Sequence, residues 1–150
     1  MPQALLKVFK SGPIERTIRE SQSYFNNPAQ TGVIIVTLPE PLPISETFEL
    51  VVGLKRDSMK ILGIFMNRLP IHQLTSTEKE QLTEFFDEHS HRFVGEWSFR
   101  RILRSEQASN HLMEWIETQK DKMPIYELRE QLTDEPHAVL SGICKELEEL

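Results

Sequence analysis

Residues 31–70 read TGVIIVTLPEPLPISETFELVVGLKRDSMKILGIFMNRLP, two short apolar runs separated by an amphipathic stretch. Val33 to Leu38 and Ile61 to Met66 are rich in Val and Ile and too short for a typical helix, the pattern of parallel strands covered on both faces. Between them Ile44, Phe48, Val51, Val52 and Leu54 recur at helical spacing, with Ser45 placed to cap the start and Glu46 favoured in the first turn. The stretch therefore reads as a βαβ unit, with the right-handed crossover such units adopt. In open α/β sheets ligands bind outside the carboxyl ends of the strands, so Pro39-Glu40 and Asn67-Arg68 define the candidate site.

Outward from this core the pattern is mostly helical. Pro2 to Lys10 carry Ala4, Leu5, Val8 and Phe9 on one side; Gly12-Pro13 breaks that helix and Pro13 opens another, through Ile14, Ile18 and Tyr24 to Asn26-Asn27-Pro28. Thr75 and Glu78 form a T-x-x-E capping box for a helix from about Ser76 to Glu88, with Leu82, Phe85 and Phe86 on one face. From His91 to Arg104 the apolar residues Phe93, Trp97, Phe99, Ile102 and Leu103 follow no clean period, and that structure stays open. Ala108, Leu112, Trp115 and Ile116 restore helical spacing to about Lys120. Met123 to Leu128 reads as a short third strand, with Pro124 at its start where no ladder donor is lost. Pro136 opens a last helix whose Val139, Leu140, Ile143, Leu147 and Leu150 form a stripe. The expectation is one α/β domain with a short parallel sheet of about three strands covered by helices: a helical lead-in over 1–28, the βαβ core over 31–70, a helical region over 75–121, and a strand plus helix over 123–150.

Composition limits the function classes. A chain of 150 residues with 39% hydrophobic and 27% charged content has the make-up of a soluble globular domain able to bury a sizeable core. Its formal net charge of -6 gives no general attraction for nucleic acid or anionic membranes. Arg100, Arg101 and Arg104, with Arg92 nearby, form the densest basic cluster, but Glu96 and Glu106 flank it and the cluster reads as a solvated helix face. One cysteine excludes an internal disulfide and fits a reducing compartment, and Cys144 falls on the apolar face of the last helix as a buried thiol. No apolar stretch approaches transmembrane length and no signal-peptide core is present, so the cytoplasm is the expected location.

Motifs for several chemistries are missing from the sequence. None of the six glycines opens a G-x-x-x-x-G-K-[ST] loop, and there is no G-x-G-x-x-G turn, H-E-x-x-H helix or G-x-S-x-G elbow. His89 and His91 in HSH have no Cys or acidic partner at ligand spacing, so a solvated helix end is preferred to a metal site. No catalytic or metal-ligating residue is assigned.

The string TGVIIVTLPEPLPISETFELV, followed by a strand ending in IFMNRLP, resembles the ArsA-type ATPases, which include arsenite-pump ATPases and tail-anchored-protein targeting ATPases. In that family a strand ends in Pro-Glu, an E-T-x-x-L helix follows, and the next strand ends in Asn. Here these features are Pro39-Glu40, Glu46-Thr47 with Leu50, and Asn67. Lys122-Met123-Pro124-Ile125 resembles the family's proline-bearing adenine loop, with Glu127 in the strand beyond, and LLKVFKSGPIERTIRE is similar to the helix before the Pro-Glu strand in bacterial members. The resemblance covers nearly the whole chain and matches only the C-terminal portion of a complete member, half of a P-loop NTPase-like fold.

The resemblance implies that Asn67 hydrogen-bonds adenine, that Pro124 and Ile125 pack on its face, and that Pro39 and Glu40 lie near the ribose or across a dimer interface. It makes ATP the cofactor, completed by a P-loop-bearing companion segment or chain that would also hold magnesium; self-association is the second partner expectation. Because the Walker A lysine loop and both switch segments are absent here, the chain is expected to be inactive by itself. The alternative is a nucleotide-independent protein-interaction module that keeps the ATPase fold. For Phe85, Phe86, Phe93, Trp97 and Phe99, core packing is preferred to a hydrophobic client groove like that of the targeting ATPases.

Overall fold

The computed structural model describes residues 7–8, 10–89, 93–133 and 135–148. The expectations that fall on Ala4, Leu5, Phe9, His91, Arg92 and Leu150 lie outside the described residues. In chain order the elements are α1 (Pro13–Phe25), β1 (Val33–Thr37), α2 (Pro41–Arg56), β2 (Ile61–Leu69), α3 (Ser76–Glu88), α4 (Gly95–Glu117), β3 (Ile125–Arg129) and α5 (Pro136–Glu148). The strands form one parallel sheet in the order β1-β2-β3, with Ile35 beside Ile64 and Ile64 beside Ile125. This is an α/β fold built on a three-stranded parallel sheet. Among the described residues no helix is long and apolar enough to cross a membrane.

The core lies between one face of the sheet and two helices. Ile35, Ile64 and Met66 from the strands join Ile44 and Val51 of α2 and Ala108, Leu112 and Ile116 of α4 in a single buried cluster. At its margin Phe48 of α2 stacks on Trp115 of α4 with ring centres 4.3 Å apart. From Gly95 on, the region without a clean period is the first half of α4. Its aromatics divide between directions, Phe99 being buried and Trp97 exposed, so no single apolar stripe marks the helix.

Two expectations are corrected here. The strands are not covered on both faces: along β1 the inward Ile35 and Thr37 alternate with Ile34 and Val36, which are 53% and 64% exposed. On that outer face Val36, Phe65 and Tyr126 are lateral neighbours, and the Phe65 and Tyr126 rings stack at 4.7 Å. Gly63 lies beneath the Tyr126 ring, where a Cβ would come within 2.9 Å of it. Helix α2, in turn, starts at Pro41 rather than near Ser45, with Glu40 at its N-cap. Prolines at the beginning of a helix lose only amide protons that have no intrahelical acceptor, so Pro41 and Pro43 open the helix.

At α3 both halves of the Thr75 and Glu78 capping box are formed. Cys144 is exposed, not buried. In α5 the half-buried positions are Val139, Gly142, Ile143 and Glu146, and Cys144 points away from that side.

The difference between the two sheet faces has a measurable consequence. Ile64→Ala, at a fully buried position, is expected to cost about 2 to 5 kcal/mol in urea unfolding. Val36→Lys is expected to stay within about 0.5 kcal/mol of the parent, as an exposed substitution does. Losses of equal size at the two positions would mean that the outer face is packed as tightly as the inner one.

Candidate functional site

Three chain segments converge at the carboxyl edge of the sheet. The first is Leu38-Pro39-Glu40, which connects β1 directly to α2. It is anchored underneath by two buried threonines: the Thr37 and Thr47 hydroxyls are hydrogen-bonded at 2.9 Å, and Thr47 Oγ1 also bonds the Pro43 carbonyl at 2.8 Å. Pro39 is buried and Glu40 is exposed.

The second segment is the end of β2, where the ladder is irregular. Met66 pairs with Glu127 and Leu69 with Arg129, so Asn67 and Arg68 together oppose Leu128 in a β-bulge. Arg68 has φ 63°, a left-handed conformation that costs a non-glycine residue about 1 to 3 kcal/mol and persists where its surroundings hold it. Bulges of this kind re-aim side chains beside sites. Pairing resumes immediately afterwards, as Glu130 N donates to the Leu69 carbonyl at 2.9 Å.

The third segment is one side of α4. Trp97, Arg101, Arg104 and Ser105 are spaced i, i+4, i+7 and i+8, which places them on one helical face. Together with Leu38, Pro39, Glu40 and Pro41 from the β1–α2 link and Arg68 and Pro70 from the end of β2, they line a cavity of about 400 Å³. Trp97 is 69% exposed and leaves an indole surface available at the wall.

Charge at this edge is organised by Glu130. Arg101 grips it bidentately through Nη1 and Nη2, both at 3.0 Å, and Arg68 Nη2 adds a third contact at 3.2 Å. The Glu130 side chain is only 16% exposed. Hydrogen bonding from Arg101 is the main reason its carboxyl is held below the ordinary carboxylate value, with Arg68 adding to it. The same pairing raises Arg101, and the field of nearby Glu40 acts in the same direction. Arg104 is different: its Nε donates to the Arg100 carbonyl at 3.2 Å, and among the described residues it has no carboxylate partner.

A neighbouring cavity of about 420 Å³ shares Ser105 and is lined also by His72, Lys79 and Glu106. Glu106 accepts from both Lys79 and His72, the latter at 3.0 Å. His72 Nδ1 and Ser105 Oγ are buried without a hydrogen-bond partner among the described residues.

Of the residues singled out in the sequence, Pro39, Glu40 and Arg68 come together at the first cavity. Asn67 does not line it; β2 runs on to Leu69, so Asn67 sits half-buried within the bulge instead of ending the strand. Pro124 and Ile125 lie toward the other end of the sheet. The Pro124 carbonyl accepts from Ile64 N at 2.9 Å, and Ile125 is in register with Ile64 and hence with Ile35. Pro39 is four residues beyond Ile35, a span of about 13 Å at roughly 3.3 Å per strand residue. Pro124 and Ile125 therefore do not share a cavity with Pro39 and Glu40.

The arginine cluster does not form a uniformly solvated face. Arg100 turns to Asp87 and Glu96, both at 2.9 Å, whereas Arg101 and Arg104 turn to the cavity. Of the aromatics, Phe86 and Phe99 are buried, while Phe85, Phe93 and Trp97 are exposed. His89 Nδ1 lies 3.0 Å from the Phe85 carbonyl, and among the described residues no group of three or more His, Cys, Asp or Glu could hold a metal ion. The sequence reading missed Trp97, Ser105 and Glu130 as site residues. The spacing of Trp97, Arg101, Arg104 and Ser105 was the available signal for the α4 face; nothing local marks Glu130.

No protein-family model matches the chain, and no curated protein sequence matches it.

The lowered Glu130 carboxyl gives a sign for pH dependence. Its contribution is fully present above the ordinary carboxylate value and is lost as pH falls through the depressed folded value. The stability gap between parent and Glu130→Gln is expected to be constant from neutral pH down to about 5 and to close below about pH 4, read from urea midpoints. A gap that stays the same through the acid range would refute the pairing.

Proposed function

We propose that this chain is the C-terminal part of an ArsA-like ATPase and that it forms the base and ribose wall of an ATP site. The phosphate and magnesium floor of that site is assigned to a P-loop-bearing companion segment or chain, since this sequence has no phosphate-binding loop of its own. The reading rests on the resemblance around Pro39-Glu40 and on one observation: Pro39 and Glu40 line a cavity at the carboxyl edge of a parallel sheet, beside the exposed indole of Trp97.

In this reading the adenine stacks on Trp97, not on Pro124 and Ile125. A flat aromatic ring next to an apolar proline suits a base, and a carboxylate at the rim suits ribose hydroxyls, which donate to it. Asn67, next to Arg68 in the bulge, does not line this cavity and has no part in the wall. Hydrolysis belongs to the assembled pair, and a reducing, cytoplasmic setting fits the single cysteine.

Tryptophan emission tests the reading directly. Trp115 is packed on Phe48, so Trp115→Phe leaves Trp97 as the sole reporter. In that background ATP and adenosine are both expected to quench Trp97 saturably, while Pro124→Ala leaves the titration unchanged. Phosphate release from ATP by the chain alone is expected to stay at the uncatalysed rate. Adenosine and ATP that leave Trp97 emission untouched would remove the base wall and with it the proposal.

A further inference from the structure

We infer that the arginine side of the same cavity is a binding site for a phosphate-like dianion, made by Arg68, Arg101, Arg104 and Ser105, and that Glu130 is its resident counter-ion. The inference does not rest on nucleotide binding, because the arginines would hold inorganic phosphate whether or not a base stacks on Trp97.

Four observations carry it. In a chain of formal net charge -6, the cavity is lined by three arginines and a single acid, Glu40. Glu130 pairs with Arg68 and Arg101, so the excess of positive charge that remains at the cavity comes from Arg104. Second, Arg101 already holds a carboxylate through both terminal nitrogens at 3.0 Å, the planar fork that also fits two oxygens of a phosphate. Third, Arg104 lines the cavity with no carboxylate partner among the described residues, so its terminal nitrogens are available to an incoming anion. Fourth, Ser105 is 3% exposed, lines the cavity, and has a buried hydroxyl with no partner among the described residues. A buried hydroxyl left unsatisfied is unfavourable by about 1 to 3 kcal/mol, and an oxyanion within reach would accept its proton.

The strained backbone at Arg68 belongs to the same device. Its left-handed φ within the bulge accompanies a guanidinium that both lines the cavity and touches Glu130 at 3.2 Å. Glu130 thus acts as an internal stand-in for the ligand. An arriving dianion takes over Arg104 and Ser105 and competes with Glu130 for Arg68 and Arg101. The shared ligand chemistry is a phosphate group carrying about two negative charges, from a nucleotide or from a free phosphate compound.

Isothermal titration of the full chain at fixed ionic strength tests this, with inorganic phosphate, pyrophosphate, ATP and adenosine as separate ligands. Phosphate and pyrophosphate are expected to bind. Arg104→Gln, which breaks no ion pair among the described residues, is expected to weaken them about tenfold, as loss of a charge-assisted contact does. Glu130→Gln is expected to tighten binding by a similar factor by removing the competitor. Arg56→Gln, on exposed surface, should change nothing. Absence of phosphate and pyrophosphate binding overturns the inference, as does an Arg104→Gln variant that binds both like the parent. Binding of phosphate without adenosine supports the oxyanion site and rejects the base wall; binding of adenosine without phosphate or pyrophosphate does the reverse.

Discussion

Burial of Ile64 and Met66 on the central strand is the constraint on which the remaining architecture rests. Both side chains are fully enclosed, and they join the sheet to α2 and α4 in one apolar cluster. A side-chain period of two means that a one-residue slip would send both to the outer face, so the register of β2 is strongly fixed. That register sets Thr37, the last residue of β1, beside Met66, so that β2 runs on past the end of β1 to Leu69. The cavity lies where β1 gives way to α2 and β2 enters its bulge, with one side of α4 as its third wall.

The charged groups at the edge occupy the space that this packing leaves. The bulge after Met66 adds one residue to β2, turns Arg68 toward the cavity, and still lets Leu69 accept from Glu130. Glu130 then satisfies two guanidinium groups from two different elements, one from β2 and one from α4. A half-buried carboxylate with three short contacts is well compensated, whereas the arginine that lacks such a partner, Arg104, is on the exposed side of the same face. The asymmetry between Arg101 and Arg104 is what separates an internal ion pair from a binding site.

Much of the fold was legible in local patterns. The β-branched runs gave β1 and β2, the capping box gave the start of α3, and Pro13 and Pro136 each opened a helix, because these signals involve neighbours within one or two turns. What was not legible depends on contacts distant in sequence. A continuous apolar run such as Val33 to Leu38 does not say which side of a strand is covered, and Ile34 and Val36 prove to be exposed. Ser45 read as the cap of α2, although a proline pair just before it is equally compatible with the opening of a helix, and Pro41 and Pro43 do open it. The bulge at Asn67 and Arg68 has no local signature, so Asn67 looked like a strand end. For Pro124 the residue type was right for the start of a strand, but its relation to the site depended on which end of β3 meets the carboxyl edge. That end is Glu130, whose role is set by Arg101, far away in sequence.

The connections between the strands are very unequal, and this bears on the order of assembly. β1 and β2 are joined through a single helix, α2, whereas β3 joins only after the chain has passed through α3 and α4, from Pro70 to Pro124. Closing the longer loop forfeits more chain entropy before any contact compensates for it. The expected order is a β1–α2–β2 nucleus first, with β3 docking as the slow step. Since Glu130 follows directly on β3, the two arginines would meet their carboxylate only at the end, and a nascent chain would carry a more positive cleft than the finished protein.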